Sequence, residues 1–184
     1  MASGSRRGSI IIHAISSNKV EYRADNVFAN YVSGLCYLPN GYLVACGHNG
    51  YVGNGLKVFS PSLELVQTLE GHDGPVECVT ISPSGSHFAS GGGAGKMIIW
   101  SELGEGGEWA RVQVLALEGH TGTVMSLSFS PDCKLLCSGS IDRSIKFWNP
   151  ADGSLVKSID QAHTSYIDSV TAETQDRKSV VFQR

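Results

Sequence analysis

The chain has 184 residues, 41% hydrophobic and 17% charged, with 17 acidic against 14 basic residues and a net charge of −3. That is an ordinary globular composition without a basic stripe, so nucleic acid is not expected as a partner. No stretch approaches the ~20 apolar residues of a membrane-spanning helix, so no membrane role is expected. The five cysteines (Cys36, Cys46, Cys78, Cys133 and Cys137) are an odd number without zinc-type spacing. They point to reduced thiols in the cytoplasm or nucleus and to no metal site.

In chain order, residues 1–8 are polar and glycine-containing and read as a disordered lead. Residues 9–25 carry two short strands, "SIIIHAI" and "VEYRA". Residues 26–69 alternate as strands around the turn "LPNG", with "YLVACG", "LKVF" and "LELVQTL" following. Residues 70–117 and 118–159 repeat that plan more clearly. "VECVTIS" and "VMSLSFS" are first strands, "SPSG" and "SPDC" turns, and "HFASG" and "LLCSG" second strands. "KMIIW" and "SIKFW" are third strands, with "RVQVLAL" and "SLVKSI" as fourth strands. Residues 160–184 begin the plan again, with His163 and Ile167 in register, and end at "VVFQR".

The two clearest copies start at Glu70 and Glu118, 48 residues apart, and each places Trp 24 positions after its first valine. Four short strands recurring at this period are the signature of propeller blades. Gly71-His72 and Gly119-His120, the Ser-Pro turns, Trp100 and Trp148 resemble WD-repeat β-propeller blades. The resemblance covers about residues 10 to 184 and implies an all-β fold of four-stranded antiparallel blades. It departs from the family where Asn149 and Ser101 stand in place of the Asp that usually follows the Trp. The copy at residues 26–69 is degenerate, with no Gly-His ahead of its first strand and no Trp.

His, Ser and Asp within one repeat have the residue types of a hydrolase triad, but no nucleophile-elbow motif accompanies them. The resemblance implies that His120, Ser138, Asp142 and Trp148 form a hydrogen-bonded structural network. His72, Ser90 and Trp100 are the counterparts in the preceding blade, where Ala94 fills the Asp register. Half-buried polar groups must find partners, which is reason enough for such a set. No catalytic residue, cofactor site or metal ligand is expected; "GGGAG" lacks the Lys-Ser/Thr ending of a phosphate loop.

The readable blades fall short of a closed ring, so an incomplete propeller is expected. An alternative is a shared blade, closed by "SIIIHAI" pairing with "VVFQR". The expected function is a non-catalytic protein–protein interaction scaffold, whose surface is the face bearing Tyr51, Asn54, Asp73, Lys96, Thr121, Arg143 and Tyr166. "NYVSGLCYLPNGYLVACG" resembles a blade of the phospholipase-activating-protein family, which implies ubiquitin as an alternative partner. An enzyme on a propeller scaffold is the remaining alternative.

Overall fold

The structure is a computed structural model that describes residues 1–50, 55–102, 109–115, 119–173 and 180–182. Three four-stranded antiparallel sheets form its body. The first is β4 (Val32–Tyr37), β5 (Leu43–Gly47), β6 (Leu56–Phe59) and β7 (Leu65–Thr68). The second is β8 (Val76–Ile81), β9 (His87–Gly92), β10 (Met97–Glu102) and β11 (Trp109–Leu115). The third is β12 (Val124–Phe129), β13 (Leu136–Ser140), β14 (Ile145–Trp148) and β15 (Leu155–Ile159). A three-stranded sheet, β1 (Ala2–Gly4), β2 (Ile10–Ala14) and β3 (Lys19–Ala24), precedes them. A two-stranded sheet, β16 (Ser169–Thr171) and β17 (Val180–Phe182), follows.

Successive sheets stack face to face, with β4 against β8, β8 against β12, and β12 against β16 along the inner side. The period-2 alternation of a strand explains how one sheet serves two neighbours. On β5, Leu43 and Ala45 join Ile10, Ile12 and Phe28 of the preceding sheet's core. Val44 and Cys46 point the other way, to Val76, Phe88 and Trp100. On β9, Phe88 faces back while Ala89 faces forward to Leu127, Leu136 and Trp148. Leu136 faces back in turn, and Cys137 packs on Ile167 and Val170. The middle strands β5 and β13 are buried along their whole length, whereas the outer strands β7 and β15 are largely exposed. This is a radial blade order, with an all-β propeller arc as its consequence.

Two expectations about the ends change. Residues 1–8 are not a disordered lead, because β1 pairs with β2 in the register Ala2↔Ile12, Ser3↔Ile11 and Gly4↔Ile10. A tight return makes this possible: Ser5 N donates to Ser9 O, Gly8 N to Ser5 O, and Gly8 takes a φ of +71°. Backbone donors of Val27 and Val32 then close onto Gly8 O and Ser5 O. Shared-blade closure is also not the arrangement. The edge of β2 that β17 would need is held by β1, whereas the pairing of β17 with β16 is common to both arrangements. A short local loop costs less closure entropy than joining the two ends of the chain. Among the described residues no strand joins the first sheet to the last, and the propeller is incomplete.

The turn between the first two strands of each blade passes through the left-handed region at one position. Gly41 (φ +85°), Gly85 (φ +75°) and Cys133 (φ +58°) hold it in successive blades. A side chain there costs about 1–2 kcal/mol against glycine's near indifference, partly offset by glycine's greater freedom when unfolded. Cys133→Gly should therefore raise stability by about 0.5–1 kcal/mol, read as a higher urea midpoint at unchanged slope.

Candidate functional site

His120, Ser138, Asp142 and Trp148 come together although they span four separate segments. His120 precedes β12, Ser138 lies in β13, Asp142 in the turn before β14, and Trp148 ends β14. The Trp148 indole N–H donates to Ser138 Oγ at 2.9 Å, and His120 Nε2 lies 2.7 Å from the same oxygen. His120 Nδ1 lies 2.9 Å from Asp142 Oδ2. The carboxylate only accepts, so Nδ1 carries the proton and Nε2 accepts from the serine hydroxyl. Asp142 also takes the backbone N–H of Thr121 at 2.9 Å, and the N–H and hydroxyl of Ser144 at 2.8 and 2.7 Å. The incoming loop is thereby tied to the turn before β14 and, through Ser138, to the middle of the sheet. Ser144 is a member of this set that sequence reasoning missed; its place two residues after Asp142 was the available signal.

Electrostatics keep the set in one protonation state. Burial lowers the pKa of His120, opposed by the hydrogen bond and charge of Asp142. Burial raises that of Asp142, but hydrogen bonds from Ser144, His120 and Thr121 outweigh it and bring the carboxyl to about 2. A neutral imidazole facing an ionised carboxylate is the result. Ser138 has 0% exposure and already receives the indole proton. No substrate carbonyl can reach its oxygen, so the triad-like set lacks the access that acyl transfer needs.

The preceding blade keeps part of this arrangement. Trp100 Nε1 donates to Ser90 Oγ at 2.9 Å, and His72 Nε2 lies 2.7 Å from that oxygen. Ala94 stands in the Asp register with a φ of +56°. A different tie replaces the carboxylate: Lys96, in the register of Ser144, pairs at 2.6 Å with Asp73 of the incoming loop. Burial, aided by the nearby charge of Lys96, lowers the His72 pKa to about 4.

Five of the seven candidate partner-surface residues lie among the described residues. Asp73 and Lys96 engage each other, and Thr121 is exposed with its N–H held by Asp142. Arg143 is exposed at a φ of +71°, and Tyr166 is 59% exposed. Tyr51 and Asn54 lie outside the described residues. The structure adds a cluster beside them. The Tyr31 hydroxyl donates to Glu77 at 3.0 Å, and its ring stacks on His48 with centroids 5.5 Å apart. Burial and the adjacent Glu77 carboxylate push the Tyr31 phenol up to about 12.

The five cysteines are free, and burial holds the thiols of Cys36, Cys46 and Cys137 up at about 12, far from reactive thiolates. Among the described residues no three or more His, Cys, Asp or Glu side chains are grouped to hold a metal ion.

Comparison with known proteins fits this geometry. The WD domain, G-beta repeat, matches residues 63–101 and 111–149, so each match starts near an outer strand and ends past a Trp. Two WD repeats are therefore present in this chain. Among WD-repeat relatives it is 33% identical over 125 residues to the periodic tryptophan protein 2 homolog of Schizosaccharomyces pombe, covering 66% of this chain and 14% of that protein. It is 29% identical over 171 residues to the U3 small nucleolar RNA-associated protein 15 homolog of Xenopus laevis, covering 82% of this chain and 32% of that protein. The chain thus spans only a minor part of these curated relatives. Its fold matches a chain in the crystal structure of the Chaetomium thermophilum polycomb repressive complex 2 with a TM-score of 0.76 at 20% identity. That match covers 92% of this chain and 40% of the other.

Two outcomes follow for the WD network. Asp142→Ala strands the His120 donor and the Thr121 and Ser144 groups, and should cost about 1–3 kcal/mol in chemical denaturation. For His72, the unfolded imidazole titrates at its ordinary 6.5 and the folded one at about 4. Between those values the unfolded chain binds more protons, so the stabilisation is fully present above 6.5 and is lost as pH falls to about 4. The loss should be roughly 2–3 kcal/mol, and His72→Phe should flatten the stability profile across that window.

Proposed function

We propose that this chain is a non-catalytic protein–protein interaction scaffold, with its contact surface on the face of the incoming loops. The observation that carries this reading is the use of the polar residues: the His, Ser, Asp and Trp side chains that could suggest chemistry are buried and engaged with one another. Among the described residues, Arg143, Tyr166, Thr121 and Asp73, the last paired with half-buried Lys96, are presented on that face, held on short loops between rigid strands. Such loops carry recognition in rigid scaffolds, and an exposed Tyr and Arg are the residue types that dominate interface energetics. Relatives are named for assemblies, among them a U5 small nuclear ribonucleoprotein 40 kDa protein of Dictyostelium discoideum and a chromatin assembly factor 1 subunit homolog of rice. By that analogy the working place is a nuclear complex, and with a net charge of −3 the contact is with protein components rather than nucleic acid. Of the partners considered from sequence, ubiquitin is the one that can be tested directly.

The test compares affinity-tagged chain with the double variant Arg143→Glu, Tyr166→Ala, by quantitative mass spectrometry of what each retains from cells. The double variant should melt like the parent and lose a defined set of partners. An unchanged set would remove this face from the function. An NMR titration with ubiquitin should either shift residues of this face or eliminate ubiquitin as a partner.

A further inference from the structure

On the opposite face, the turn between β8 and β9 reads Ser82-Pro83-Ser84-Gly85-Ser86-His87, and its hydroxyls form one continuous chain. Ser82 Oγ donates to the carbonyl of His87 at 2.9 Å. Ser84 Oγ lies 3.1 Å from Ser82 Oγ, Ser86 Oγ 2.8 Å from Ser84 Oγ, and His87 Nδ1 2.8 Å from Ser86 Oγ. Each hydroxyl has one proton, so a relay that fills every one of these contacts has a single direction. The Ser82 proton is committed to the carbonyl, Ser84 must donate to Ser82, and Ser86 must donate to Ser84. In that relay His87 donates from Nδ1. This relay is peculiar to the turn: in the next blade Asp132 stands in the place of Ser84 and takes the Ser130 hydroxyl directly at 2.6 Å.

The same residues line a cleft of about 240 Å³ whose other wall is Phe129, Cys133, Pro150 and Ala151. In the Nδ1–H tautomer that this relay sets, Nε2 carries a lone pair and is an acceptor. The cleft is smaller than the ~300 Å³ lower limit of small-molecule sites, which suits a single side chain. An apolar wall of Phe129, Pro150 and Ala151 opposite the acceptors of the serine turn and His87 matches a ring that is apolar along its body and bears a donor at its tip, as tyrosine and tryptophan do.

We propose that the cleft between Ser84, His87, Phe129 and Pro150 is a binding site for one phenol- or indole-bearing side chain of a partner protein, which donates to His87 Nε2. The site is separate from the face assigned above and stands or falls independently of it.

NMR on the intact chain tests this in two steps. Imidazole nitrogen shifts of neutral His87 should report the Nδ1–H tautomer; the Nε2–H tautomer would overturn the relay and the proposal with it. Titration with p-cresol and with its methyl ether then compares ligands of one shape with and without a donor. p-Cresol should bind roughly five- to tenfold more tightly, the worth of one neutral hydrogen bond, and should shift Phe129, Cys133 and His87. In His87→Phe, which keeps a ring but no acceptor, the two ligands should bind alike. Equal binding to the parent chain, or binding of neither ligand in the cleft, would overturn the proposal.

Discussion

The middle strands of this molecule have no solvent-facing side, and the rest of the structure depends on that constraint. Every residue of β5 and β13 is buried, alternating between the core of the sheet before and the core of the sheet after. A single sheet could not exist alone with Val44, Cys46, Leu56 and Val58 open to water on one face. Stability accrues at the interfaces between blades, and the loops are free to vary because they contribute little to those interfaces.

A buried strand leaves no room for unpartnered polar groups, and the hydroxyls of Ser90 and Ser138 sit inside it with 0% exposure. Each is satisfied by an indole donor from the third strand and an imidazole from the incoming loop. The serine is what converts a hydrophobic stack into a structure with one loop position, since the imidazole must lie where the hydroxyl points. Only the outer end of the tie differs between the two blades. One uses an ionised Asp142 surrounded by donors, the other an exposed Lys96–Asp73 pair, so the two incoming loops are held by different chemistry on one framework. An exposed ion pair is screened by salt where a shielded carboxylate is not.

Much of this was legible in the sequence because both the core and the network repeat. Period-2 alternation marked the strands, and Gly-His and Trp at constant spacing marked the polar set. What repetition did not announce was missed. β1 has no apolar pattern of its own; it is held by backbone pairing to β2 and by a return at Gly8, which no periodicity signals. Asp73 and Lys96 look like independent surface charges until the fold brings residues 23 apart to 2.6 Å. The hydroxyl relay ending at His87 reads as an ordinary polar turn, because its meaning lies in the direction of its hydrogen bonds rather than in its composition. Shared-blade closure rested on counting strands, which could not weigh a local partner for β2 against a distant one.

The central claim is that the His, Ser, Asp and Trp side chains are interior mortar and not reactive groups. Exchange of the Trp148 indole proton with solvent, followed by NMR, measures this most directly. Buried and donating to Ser138 Oγ, that proton should exchange only at the rate of global unfolding, and Ser138→Ala should speed it. Exchange at the rate of a free indole, unaffected by Ser138→Ala, would mean that the network is open to solvent and the account is wrong.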